Sequence, residues 1–322
     1  MPVAADYRKL ADRLRTVVVA TVLPFAKDGT IDWQSYDRVL DYCARPAGIG
    51  AVFVNGHAGE GASLTPAERL EVIARTRARI GEKPLMSGII AYALSEAIEQ
   101  ARQAEKAGAD CVVLFPLPGL GGGATADARA PLAYVRAVSD AISIPVSIFQ
   151  YPLASGLGFA TDTLVEMARM PQVIAIKEGS DTMTAYEDNW RKVKAVRPDL
   201  VLLPSNFNWF LPQLAVGGDG ILSGLASLTP HWLIDLWQAS QEGNLAAMRA
   251  ANDRLYPIVR AIYGAVPLTD MHTRIKVGLK KLGIIADATP RPPLMPILPS
   301  IVDQIERVIE TSGLAAQVSV AA

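Results

Sequence analysis

The sequence predicts a (β/α)8 barrel, a TIM barrel, with a C-terminal three-helix extension. Three observations predict it. Short apolar runs rich in β-branched residues alternate eight times with helical stretches over residues 16–240. No Gly-rich phosphate-binding turn follows the first run, where an open dinucleotide-binding sheet would carry one. Beyond residue 240 the strand signal stops and only helical patterns remain. The organisation reads as an N-terminal extension at 1–15, the barrel at 16–240, a helical region at 241–312 and a tail at 313–322.

The first strand spans Thr16 to Thr21, followed by Leu23-Pro24-Phe25, a turn at Lys27-Asp28-Gly29-Thr30 and a helix from about Ser35 to Ala44. The second, Ala51 to Val54, runs into Asn55-Gly56-His57-Ala58-Gly59-Glu60. Thr65, Pro66 and Glu68 then form an N-cap, a first-turn proline and a capping box for a helix ending near Gly81. Strands at Leu85–Ile90, Cys111–Phe115 and Val146–Gln150 precede helices at Ser95–Ala107, Ala126–Ala141 and Thr161–Arg169. The glycines Gly121-Gly122-Gly123 lack cofactor-box spacing and read as a flexible loop. Strands Val173–Lys177, Val201–Ser205 and Gly220–Ser223 precede helices at Thr182–Val196, Trp209–Val216 and Thr229–Ser240, the last with Thr229 as N-cap before Pro230. Asn244–Tyr263, Thr269–Leu282 and Ser300–Thr311 are the three C-terminal helices. The Pro-rich stretch 290–299 is an extended link and the tail is frayed.

The 322 residues are 50% hydrophobic with a formal net charge of -1. No basic stripe or acidic block argues for nucleic acid or a membrane surface. Cys43 and Cys111 have no metal or CxxC spacing and suit a reducing compartment. The first fifteen residues lack the apolar core of a signal peptide, and no window is long and apolar enough to span a bilayer. A soluble, cytoplasmic protein is expected.

Barrel enzymes place their sites at the C-terminal ends of the strands. Of the residues there, Lys177 is the single lysine, at the end of Val173-Ile174-Ala175-Ile176. A lysine in that position has two readings. It is the first solvated residue after a core strand, or it is a desolvated amine whose lowered pKa makes it a nucleophile for Schiff-base chemistry. Its place among small polar strand ends favours the second. The Gly56–Gly59 turn either presents backbone N–H groups to a carboxylate or is a tight loop that binds nothing. Tyr92, Asn206 and Ser223 are candidates for substrate hydroxyls. Asn208-Trp209-Phe210 reads as packing at a helix start, and His231 and His272 as surface or packing residues without metal-ligand spacing.

Several of these stretches resemble the dihydrodipicolinate synthase / N-acetylneuraminate lyase family of class I Schiff-base lyases. They are Ile174-Ala175-Ile176-Lys177-Glu178-Gly179, Gly56-His57-Ala58-Gly59-Glu60 with Leu64-Thr65-Pro66-Ala67-Glu68-Arg69, Ala107-Gly108-Ala109-Asp110, and Gly217-Gly218-Asp219-Gly220-Ile221. The resemblance covers about residues 16–312. It implies an imine between Lys177 and pyruvate or another 2-oxo acid, no metal or organic cofactor, and a homotetramer built as a dimer of dimers. The iminium is an electron sink that permits C–C cleavage or loss of a leaving group.

The departures are specific. Where the family has paired Ser/Thr residues between the two glycines, this chain has His57 and Ala58. The family's acid/base tyrosine is replaced by Phe149, which cannot relay a proton. The arginine that recognises a second carboxylate in the synthases is replaced by Ala154, and the interface tyrosine aligns with Leu117-Pro118. Tyr151, two residues beyond Phe149 on the same strand face, and His57 are the candidates to move the proton. For His57 the other reading is a loop histidine that only hydrogen-bonds the backbone. Lys177, Tyr151 and His57 are therefore the candidate catalytic residues. Gly56, Ala58, Gly59, Phe149, Asn206 and Ser223 are the candidate substrate-binding residues. The leading reading is an aldolase or dehydratase acting on a pyruvate-related 2-oxo acid outside lysine biosynthesis. The alternative is a catalytically silent relative that binds a small oxo acid as a sensor or structural subunit. A nicotinamide oxidoreductase is disfavoured by the absent fingerprint.

Overall fold

The computed structural model describes residues 5–122 and 126–316. Gly123 of the glycine run, and residues 1–4 and 317–322 of the two expected termini, lie outside the described residues. The strands are β1 (Val17–Ala20), β2 (Ile49–Val54), β3 (Leu85–Ile89), β4 (Cys111–Leu114), β5 (Val146–Gln150), β6 (Val173–Glu178), β7 (Val201–Pro204) and β8 (Ile221–Ser223). All pair in parallel, in the order β7-β6-β5-β4-β3-β2-β1-β8. The helices are α1 (Ala5–Arg13), α2 (Trp33–Ala44), α3 (Pro66–Ile80), α4 (Leu94–Lys106), α5 (Arg129–Ser139), α6 (Thr161–Ala168), α7 (Met183–Val196), α8 (Phe210–Val216), α9 (Pro230–Gln241), α10 (Leu245–Tyr263), α11 (Met271–Lys281) and α12 (Pro299–Thr311). This is the expected (β/α)8 barrel with C-terminal helices. No helix among the described residues is long and apolar enough to cross a membrane.

Local chemistry places the boundaries. The Thr65 hydroxyl accepts from the Glu68 N–H while the Glu68 carboxylate accepts from the Thr65 N–H, the reciprocal capping box read from sequence. At α9 the expected cap differs. Pro230 takes the first turn, but the Thr229 hydroxyl turns back to donate to the Leu225 carbonyl at 3.3 Å. The stretch before Thr16 also differs from a bare extension. It forms α1, whose Tyr7 hydroxyl donates to the Ser143 carbonyl at 2.6 Å, and Ala11 and Leu14 are buried. A nine-residue charged segment is too short to be a stable helix alone, and this one forms because it has the barrel to lie against.

The ladder leaves one seam, between β7 and β8, and Asp219 stitches it. Its backbone N–H donates to the Leu202 carbonyl at 2.9 Å, and its carboxylate accepts from the Leu202 N–H at 2.8 Å. The same carboxylate pairs with Lys194 at 2.6 Å and with Arg15. One side chain thus supplies the acceptor a neighbouring strand would have supplied, and its charge is met by two cations. A Cβ at Gly220, the next residue, would collide with the Thr16 carbonyl, so glycine is required for β8 to approach β1. Asp219→Ala takes the counter-ion from a part-buried Lys194, which keeps its bonds to the Pro198 and Leu200 carbonyls, and leaves a strand N–H without its acceptor, and should cost about 2–4 kcal/mol. Urea unfolding checks this. Asp219→Asn should cost less, because its amide oxygen still accepts from Leu202. Wild-type stability in Asp219→Ala would mean that packing alone closes the barrel.

Candidate active site

Register brings the first residues together. Phe149 on β5 lies opposite Lys177 on β6, which lies opposite Leu203 on β7. Lys177 is 8% exposed and its Nζ sits 3.2 Å from the centroid of the Phe149 ring. Among the described residues it has no carboxylate or hydrogen-bond partner. Burial therefore drives its pKa well below the ordinary lysine value. A phenyl face attracts an ammonium by only about 1–2 kcal/mol, too little to offset full desolvation. Burial therefore favours the uncharged amine of Lys177, which faces a cavity of 400 Å³. Its neighbour Glu178 points to the other face of the strand, as alternation requires. It is fully buried there, its carboxyl pKa raised by burial, and it accepts from Ser180 and from Asn189 at 2.9 Å.

Tyr151 follows β5, and its ring lies 4.5 Å from that of Phe149, on the face expected from the two-residue spacing. The Gln150 side chain, on the opposite face, accepts from the Phe159 N–H and donates to its carbonyl. That pair ties the far end of the loop back to the strand. The Tyr151 hydroxyl meets His57 Nε2 at 2.6 Å. The His57 side chain is open to solvent within the cavity, yet protein surrounds it closely. Desolvation lowers its pKa to about 4, and nearby Lys177 adds to the effect. Burial raises the Tyr151 phenol above its usual value. The phenol therefore donates to a neutral imidazole, which places the His57 proton on Nδ1. Phe115 packs edge-on to Phe149 and near His57, with centroids 5.0 Å away in each case, completing an aromatic wall.

The β2 loop carrying His57 is bounded by two residues in the left-handed region, Asn55 at φ 55° and Glu60 at φ 51°. Asn55 tolerates this conformation. Glu60 is held in it by a buried ion pair with Lys276. Between them the N–H groups of His57, Ala58 and Gly59 have no hydrogen-bond partner among the described residues. These three successive donors are left open, and those of His57 and Ala58 belong to residues that line the cavity. Gly61 is needed to close the turn, since a Cβ there would collide with the Asn55 carbonyl.

The structure sorts the sequence candidates. Lys177, Tyr151, His57, Ala58, Phe149, Asn206 and Ser223 all line the cavity. Gly56 and Gly59 do not. Gly56 packs on the Phe53 ring and Gly59 faces the Thr21 carbonyl, so both serve close packing of the turn. Asn206 is largely committed to the scaffold, donating to the Ser180 carbonyl at 2.9 Å and accepting from the Asn208 N–H at 3.1 Å. Tyr92 is 80% exposed and stands outside the cavity. Asn208 and Trp209 line it rather than only packing a helix start.

Against its expected place as a packing or surface residue, His272 is brought into the cavity by α11, together with Met271. Burial lowers its pKa to about 3, with His57, Lys177 and Lys276 adding to the effect. Tyr263 of α10 also lines the cavity, stacked on Phe207 at 3.6 Å. One sequence signal could have found α11's role. His272 and Lys276 are four apart, so two polar side chains share a face of a helix otherwise apolar there.

The dihydrodipicolinate synthetase family model matches residues 13–312 of the chain. A curated 4-hydroxy-tetrahydrodipicolinate synthase from Archaeoglobus fulgidus is 26% identical over 302 residues, covering 92% of this chain and 98% of its own length. Two solved structures share the fold. A monomeric dihydrodipicolinate synthase variant has a TM-score of 0.86 at 24% identity, over 94% of this chain and 98% of its own. YagE, a prophage protein of the dihydrodipicolinic acid synthase family from E. coli K12 solved in complex with pyruvate, has a TM-score of 0.84 at 21% identity, over 93% of this chain and 98% of its own.

The His57 imidazole should stay neutral until pH falls to about 4. Long-range ¹H–¹⁵N NMR titration measures this directly. Lys177→Met should raise the midpoint only slightly, because desolvation is the larger cause. A midpoint at the ordinary value of about 6.5 would contradict the enclosed position.

Proposed function

Because the chain belongs to the dihydrodipicolinate synthetase family, we propose that it is a lyase that forms a Schiff base through Lys177 with a pyruvate-related 2-oxo acid. The observation that carries this reading is the unpaired, desolvated Nζ of Lys177 facing the cavity. A neutral amine attacks the C2 carbonyl, water leaves, and the iminium accepts the electron pair released from C3. The free N–H groups of His57 and Ala58, both lining the cavity, support binding of the adjacent carboxylate. Neither a metal nor an organic cofactor enters this chemistry.

In this reading the chain is a divergent member whose proton relay has moved. Phe149 stands where the family's tyrosine is expected and serves to desolvate the lysine. The Tyr151–His57 pair takes over the acid/base work. The phenol oxygen accepts a proton from the substrate as its own proton passes to His57 Nε2, so no free phenolate forms. Ala154 in place of the carboxylate-binding arginine supports a substrate other than that of lysine biosynthesis. Exposed apolar side chains such as Val266 and Met295 support assembly into a homotetramer, although one structural neighbour is a monomeric variant.

Borohydride treatment in the presence of pyruvate should trap a covalent adduct that peptide mapping places on Lys177. Lys177→Ala should abolish both trapping and turnover while the fold persists. Lys177→Arg should fail equally, since a guanidinium stays protonated. Unchanged turnover in Lys177→Ala would sink the mechanism. Trapping without turnover of any 2-oxo acid would favour a silent binding protein, a reading the loss of the usual tyrosine also supports.

The relay is tested separately, in single turnover with a substrate found by screening 2-oxo acids and aldehydes. Tyr151→Phe and His57→Ala should each lower kcat by about 10²–10⁴-fold with imine formation retained. Near-normal chemical steps in both variants would assign the proton to other groups.

A further inference from the structure

The cavity above Lys177 does not end at its own walls. A second chamber of 530 Å³ shares His57, Leu268, Met271 and His272 with it. The second chamber runs between the β2 loop and the segment after α11, and Leu294, Pro292 and Pro293 line its far side. Together the chambers are far larger than a three-carbon oxo acid requires, since cavities of about 300–1,000 Å³ hold ligands of drug size.

The charges around them are already spent. Arg291 gives both terminal nitrogens to Glu68, at 2.7 and 2.8 Å, and donates to the Gly29 carbonyl at 2.7 Å. Glu60 is paired with Lys276 and also accepts from the Arg291 N–H at 3.2 Å. His57 and His272 are neutral at physiological pH. Lys177 is consumed by the imine, and Asp181 at the first chamber carries the wrong sign for an anion. Among the described lining residues no cation is left for a second carboxylate or a phosphate.

We propose that the second chamber seats the distal substituent of the substrate, and that this substituent is uncharged and apolar, an aryl or branched alkyl group. The inference rests on the Schiff-base reading above and extends it to the substrate class. The substrate is then a 4-hydroxy-2-oxo acid whose C4 carries that group. With C2 bound to Lys177, the chain passes the shared wall at His57 and His272. The C4 hydroxyl therefore comes to the Tyr151–His57 pair. The C4 hydroxyl proton goes to that pair, the C3–C4 bond breaks, and its electrons move through C3 to the iminium nitrogen. The aldehyde leaves through the second chamber. Protonation of the enamine at C3 and addition of water release pyruvate, and the water equals the one lost when the imine formed.

The test uses the full-length protein in the synthetic direction, with pyruvate and either benzaldehyde or succinic semialdehyde as acceptor. Borohydride trapping with pyruvate is run first, because it reports the imine without involving the second chamber. The expected result is trapping together with a kcat/KM at least roughly tenfold higher for benzaldehyde, because a site without a partner for a charge rejects it. Leu294→Arg should lower benzaldehyde use and raise that of succinic semialdehyde. Leu268→Arg, at a 49% exposed position on the shared wall, provides a second variant should the first fail to fold. Trapping with a preference for the anionic aldehyde, with no turnover of either acceptor, or with a preference that neither variant moves, would overturn the chamber assignment and leave the imine intact. Absence of trapping would overturn the lyase reading and this inference together.

Discussion

The buried ion pair between Glu60 and Lys276 fastens the β2 loop to the C-terminal helices. Lys276 is fully buried, and an ammonium in that position needs every proton accepted. It donates to Glu60, to the Leu23 carbonyl at 3.3 Å and to the Thr289 carbonyl at 3.0 Å. Phe25 lies beside it at 4.7 Å and beside the Arg291 guanidinium at 4.5 Å. Removing one partner of such a pair typically costs about 3–5 kcal/mol. The pair therefore joins the end of β2 to α11 more firmly than surface contacts could. His57 lies three residues before Glu60, and His272 one helical turn before Lys276, so the same link sets the wall the two chambers share.

Burial works differently at two adjacent residues of β6. Lys177 faces the cavity, and burial lowers its pKa well below the ordinary lysine value. Glu178 faces the surrounding helices, and burial raises its pKa while three hydrogen bonds hold it in place. Through Ser180, whose carbonyl accepts from Asn206, that outward carboxyl also steadies the end of β7. One side of the strand is kept free of partners for chemistry and the other is saturated with them for rigidity. This division fixes the Lys177 amine in position without tying it up in a salt bridge.

Much of the barrel was legible in the sequence because its signals are local. The β5 limits, the capping box at Thr65 and the Pro230 helix start depend on neighbouring residues alone. Lys177 was legible too, since an apolar run ending in a lysine is visible without coordinates. The face of Tyr151 followed from the period of two in a strand, although its bond to His57 did not. Gly56 and Gly59 are ambiguous in the sequence because a glycine in a turn looks the same whether it approaches a ligand or a Phe53 ring. Thr229 takes the expected N-cap position, but its hydroxyl reaches a carbonyl of the preceding turn, which the cap pattern does not reveal.

The sequence by itself determined the order of strands and helices, the strand ends at which chemistry is possible, and the lysine that stands at one of them. Only the tertiary structure decided what surrounds that lysine. His272, Met271 and Tyr263 reach the cavity from helices almost a hundred residues downstream, and Asp219 closes a seam between strands that no local pattern links. Periodicity records which face of an element is apolar. It does not record which distant element covers that face, because docking is set by the shapes and buried charges of both partners once the chain has closed on itself.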